Sequence, residues 1–128
     1  MNVMHIEPAR TVELTTTSGD ALTLRHCANI HLNADEFITF TTPSGTEYDV
    51  TRKAWGYYAT PSLNGRLPRH GLRGALVENS RQQHFIHLVE IGNEEEHRRY
   101  LESDGQRIVV WLDETEKLTA LLPDRTES

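Results

Sequence analysis

Cysteine is almost missing from this chain: Cys27 is the only one among 128 residues, so no disulfide can form within it. That fits a reducing compartment, and the fold must be held by its core alone. Long apolar runs are missing too. No stretch approaches the ~18 uninterrupted apolar residues of a membrane-spanning helix. Met1–Pro8 lacks a basic segment followed by an apolar one, so no signal peptide is expected and the cytoplasm is the expected compartment. Lysine is scarce as well: eleven of the thirteen basic residues are arginine. Positive charge is therefore carried by planar, fork-shaped groups suited to carboxylate and phosphate rather than by diffuse ammonium charge. The chain also lacks HExxH, paired CxxC, GxSxG, GxGxxG and P-loop patterns, which removes the common zinc, hydrolase and nucleotide signatures.

What is present is enough for one domain. At this length about two-thirds of the unfolded surface can leave water, with no metal or cystine needed as a staple. Apolar residues make up 37% and charged ones 25%, and the apolar ones are patterned, which excludes a disordered chain. A single domain over 1–128 is expected, with frayed ends at 1–10 and 123–128.

Hairpins dominate the first half. Thr11–Thr17 and Ala21–His26 alternate apolar and polar residues around Ser18-Gly19-Asp20. Glu36–Thr41 and Thr46–Thr51 do the same around Pro43-Ser44-Gly45. Ala28–Leu32 reads as a further short strand, and Trp55–Ala59 as the end of one.

The second half reads β-β-α-β-α. Strands are expected at Leu72–Glu78, His84–Ile91 and Arg107–Leu112. His84–Ile91 is apolar on both faces, which predicts a central, covered strand. Asn93 with Glu96 has the spacing of a capping box for a helix ending at Asp104-Gly105. A short helix is expected over Glu114–Leu122, stopped by Pro123. From His84 to Leu112 the pattern allows a βαβ crossover or an antiparallel return. The fold class is thus α+β: a small, hairpin-rich, mainly antiparallel domain with one or two short C-terminal helices.

Charge is unevenly spread. Residues 1–51 hold two basic and seven acidic side chains, 52–81 hold six basic against Glu78 alone, and 82–128 hold five basic and eleven acidic. The basic middle coincides with a turn-rich stretch, residues 53–73, expected to be a long loop that packs down through Leu63 and Leu67. Long ordered loops often carry function. Arg66, Arg69 and Arg73 are its candidate anion contacts; Ser62 and Asn64 add short polar groups; Trp55 and Tyr58 could wall a pocket. Alternatively the arginines pair with the chain's own carboxylates, and the aromatics are core.

The leading functional expectation is a binding or accessory protein that takes an anionic small molecule or an acidic protein partner through this loop. The alternative is a small enzyme acting on a phosphorylated or carboxylated substrate, with His70 or His87 as acid–base group. Single-stranded nucleic acid is a third reading, favoured by arginines among aromatics and opposed by the net charge of −6. No cofactor is called for. His84 and His87, three apart on a strand, point to opposite faces and cannot share a metal ion, so no metal site is expected. Cys27 has no evident base beside it and is expected to be a buried, inert thiol.

Overall fold

The computed structural model describes residues 10–15 and 21–123, and shows a small α+β domain. The expected frayed ends, and the tip of the first hairpin, lie outside or at the margin of the described residues. Among the described residues, eight strands form three antiparallel sheets. β1 (Arg10–Thr15) pairs with β2 (Ala21–His26) as the first hairpin. β3 (Phe37–Thr41), β4 (Glu47–Lys53) and β5 (Gly56–Ala59) form a meander in that order. β6 (Leu72–Glu78), β7 (His84–Glu90) and β8 (Arg107–Trp111) form the third sheet. The helices among the described residues are α1 (Arg66–Arg69), α2 (Glu94–Ser103) and α3 (Thr115–Thr119), all in the second half. No described helix is long and apolar enough to cross a membrane.

In the third sheet β6 is central, with β7 on one side and β8 on the other, both antiparallel to it. The outer strands therefore run in the same direction, and α2 joins them by passing over β6. Both sequence alternatives are realised at once: antiparallel neighbours in the ladder, and a crossover between parallel strands. A bulge at Leu76/Val77 interrupts the β6–β8 ladder.

The core is small. Leu101, the inward residue of α2, packs on Ala75 and Val77 of β6, with Ile108 and Trp111 closing the sides. On the opposite face Leu67 of α1 is fully buried. There Gly74 lets Leu63 and Leu112 approach β6; a Cβ would stand 3.3 Å from a Leu63 methyl. Gly71 (φ +90°) turns the chain into β6 beneath Thr46, whose methyl would be 2.9 Å from an added Cβ. The backbone links the meander to the chain entering β6 here, where Glu47 N–H donates to the His70 carbonyl, while Ile91 N–H donates to that of Gly71 and extends the β6–β7 ladder.

Several expectations need correction. His84–Ile91 is not central: β7 is an outer strand, and Phe85 and Ile86 are exposed. Two apolar faces report what a strand could bury, whereas its place in the sheet follows from where the next crossover lands. Ala28–Leu32 is not a strand, since its alternation has no ladder to join. The stretch 60–71 is not wholly irregular, because Ser62 Oγ accepts the Arg66 N–H at 3.0 Å and α1 winds one turn from there. Asn93 precedes α2 without a side-chain capping bond; Glu94 instead accepts the Gly92 N–H at 2.7 Å. Cys27 is exposed, because it falls just past the end of β2, where no strand carries it inward.

Candidate functional site

Strand alternation gives the β3–β4–β5 meander two distinct faces. Phe37, Thr51 and Tyr58 lie opposite one another across the three strands, so they share the outer face. Asp49, two residues before Thr51, is on the same face and accepts the Thr39 hydroxyl at 2.6 Å. Trp55, in the β4–β5 turn, stacks on Tyr58 with ring centroids 6.0 Å apart and planes 23° from parallel. These aromatics are not core. Trp55 is 71% exposed, Phe37 63% and Tyr58 44%.

Arg66 reaches this face from α1, its guanidinium 3.7 Å from the Asp49 carboxylate, too far for a hydrogen bond. Arg69, one turn on, is exposed and has no ion-pair partner among the described residues. His70 closes α1 and sits 3.4 Å from Glu47.

The sequence-predicted loop residues thus divide. Trp55, Tyr58 and Arg66 come to one face, with Arg69 on the adjoining helix. Ser62 is occupied as the acceptor that starts α1, and Asn64 donates to the Thr115 hydroxyl at 2.9 Å, tying the loop to α3. Arg73 belongs elsewhere. From β6 it forms a two-pronged pair with Asp113 (2.7 and 3.0 Å), approaches Glu94 at 3.5 Å, and lies 4.0 Å over the Trp111 ring. The Arg73 guanidinium holds the Asp113 carboxyl below its ordinary range. Arg73 is a latch between β6, α2 and the turn after β8.

His87 is likewise not brought to the arginines. Its Nδ1 lies 2.8 Å from His97 Nε2, and His97 also packs against Trp111. The His97 Nδ1 is buried and has no partner among the described residues. Orphaned buried N–H donors are rarer than orphaned acceptors. The favoured arrangement therefore has His97 Nε2–H donating to His87, leaving His97 Nδ1 without a proton. The sequence carried no sign of this pair: ten residues and a sheet-to-helix crossing separate the two. No group of three metal-ligating side chains occurs among the described residues.

Burial lowers the pKa of both imidazoles, and for His97 the neighbouring His87 adds to it. The unfolded chain then binds protons more readily than the folded one below the ordinary value of 6.5. The stability contributed by the neutral pair is fully present above that value and is lost as pH falls below it. The unfolding midpoint is expected to decline between about pH 6.5 and 5, before the carboxylates begin to titrate. Thermal scans against pH test this: a His87→Phe/His97→Leu variant should show a flatter slope in that window, with the decline at lower pH unchanged.

The inner face of the meander looks the other way. Phe40 and Tyr48, opposite one another in the ladder, face a solvent-open cavity of about 690 Å³ bordered by β6, β7 and α2, with Phe40 and Tyr100 about half exposed at its mouth. Leu88 and Tyr100 complete its apolar wall, and Glu90 and Glu96 stand at its polar side. Burial pushes the Tyr48 phenol up, so it stays neutral. Glu90 is engaged by the Thr42 and Ser44 hydroxyls, which fix the β3–β4 turn against the end of β7.

No protein-family model, no curated protein and no solved structure matches this chain. The site's own geometry is therefore what speaks for its function.

Proposed function

We propose that the protein is a binding module that engages a protein partner bearing apolar and acidic side chains, through the outer face of the β3–β4–β5 meander. The observation that carries this reading is the stacked Trp55–Tyr58 pair, standing in water on the face it shares with Phe37 and with Asp49, which Arg66 approaches. Aromatic side chains kept on a surface forgo the solvation gain of burial, and contiguous apolar patches on soluble domains commonly mark contact sites. Tryptophan, tyrosine and arginine are also the residues that dominate interface energetics when a partner excludes water around them. Arg69 has its charge uncommitted, and Arg66 is only loosely held by Asp49, so a partner carboxylate finds two forks at the rim of the patch. The overall negative charge of the chain focuses this preference on the basic middle segment rather than on the whole surface.

Selection of displayed peptides on the immobilised protein tests the proposal. Sequences combining Asp or Glu with large apolar residues should be enriched. Trp55→Ala is expected to weaken the best of them about tenfold or more, as loss of a hot-spot aromatic does. Arg69→Glu should weaken the acidic ones, and neither variant should move the unfolding midpoint, since both side chains are exposed. Binding of inorganic phosphate abolished by Arg69→Glu, with no peptide selected, would turn the reading toward a small anion. Salt-sensitive retention of an oligonucleotide in place of peptides would replace it with nucleic-acid binding.

A further inference from the structure

We propose that the cavity on the inner face of the same meander binds a small organic cation, an amine carried on an aromatic or aliphatic body. This site is separate from the partner surface and would stand if that surface proved inert. The cavity's volume, about 690 Å³, lies within the range of ~300–1,000 Å³ usual for small-molecule sites. Its walls are supplied by three different elements. Phe40 and Tyr48 come from the β3–β4 hairpin, Leu88 from β7, and Tyr100 from α2.

The polar groups decide the sign of the guest. Glu90 and Glu96 both line the cavity, and no lysine or arginine does so among the described residues. The two carboxylates differ in what they already do. Glu90 accepts hydroxyl hydrogen bonds from Thr42 and Ser44 and so belongs to the frame. Glu96 is exposed on α2, one turn before Tyr100, with no ion-pair partner among the described residues.

An ammonium group held by Glu96 among Phe40, Tyr48 and Tyr100 meets a carboxylate and aromatic rings together, while its body replaces water against Leu88. A carboxylate guest of the same shape meets only like charge. The remaining titratable ring, His97, lines the cavity already bonded to His87, and so offers an anion little.

Calorimetric titration with three matched probes tests this: 3-phenylpropylamine, 3-phenylpropanol and 3-phenylpropionate. The amine is expected to bind with one-to-one stoichiometry, the alcohol about tenfold more weakly, and the acid not at all. Glu96→Gln should reduce amine affinity to the level of the alcohol without changing alcohol binding. It should also leave the unfolding midpoint in place, because Glu96 is exposed. Equal binding of amine and acid, no binding of any probe at millimolar concentration, or amine binding untouched by Glu96→Gln would each overturn the proposal. Trp55→Ala serves as the control: it should leave amine binding intact, which separates failure of this site from failure of the outer face.

Discussion

Replacing Leu101 by alanine is expected to destabilise the protein by about 3 kcal/mol, within the range of ~2–5 kcal/mol for a buried leucine. Leu101 is only 2% exposed and is the single buried residue of α2. It packs against Ala75, Val77, Ile108 and Trp111, so truncation removes these contacts and leaves a cavity that neighbours fill only in part. Domains of this size commonly have ~5–15 kcal/mol of stability in all, so one side chain controls a large share. Urea unfolding should show a lower midpoint with an unchanged slope, and thermal unfolding a drop of roughly 10 °C. A change in slope instead would mean that α2 had already detached in the folded state. The same truncation at Leu118, half-buried on α3, should cost far less, because α3 buries no residue fully.

The hairpins were legible because their information is local. Alternation in Phe37–Thr41 and Glu47–Lys53, with Pro43-Ser44-Gly45 between them, determines both the strands and their register. The β-β-α-β-α order of the second half was legible for the same reason. What alternation does not contain is which strand becomes a sheet's edge. β7 is as apolar as a covered strand, yet β6 took the centre because α2 carried the chain across it to the far side. Ala28–Leu32 shows the converse: a good pattern stays irregular when no ladder offers it an edge.

The candidate site divided along a similar line. Trp55, Tyr58 and Arg66 are close in sequence, and the meander with its following turn brings them to one face. Arg73 is just as close in sequence, but it lies within β6, and its direction is set by strand alternation, which turns it toward α2 and Asp113. Proximity along the chain brings Trp55, Tyr58 and Arg66 to one face, but it does not bring Arg73 there. The inner cavity and the His87–His97 pair had no local signature. Both arise where β3–β4, β7 and α2 meet, and only the tertiary arrangement creates them. The two faces of one small sheet thus differ in their polar company: the outer one carries Trp55 and Tyr58 near Arg66, and the inner one sets Phe40 and Tyr48 in an open groove near Glu90 and Glu96.

Arg73→Leu is expected to cost about 2–3 kcal/mol of stability, below the ~3–5 kcal/mol for breaking a fully buried pair because water still reaches this one. Leucine retains part of the packing against Trp111 but leaves Asp113 and Glu94 facing each other without the guanidinium. Arg73→Lys should recover only a fraction, since an ammonium cannot make both bonds to Asp113 while lying over the indole. A double-mutant cycle with Asp113→Asn should show coupling of about 1–3 kcal/mol. The pH dependence has a definite sign. Asp113 has a folded pKa below its ordinary 3.8, so the latch contributes stability above that value and loses it as pH falls toward the folded pKa. Arg73→Leu should remove the Asp113 share of the acid limb, leaving the shares of Glu78 and Glu95 and the histidine window unchanged. A variant of normal stability that no longer bound acidic peptides would move Arg73 from latch to contact residue and extend the partner surface around the edge of β6.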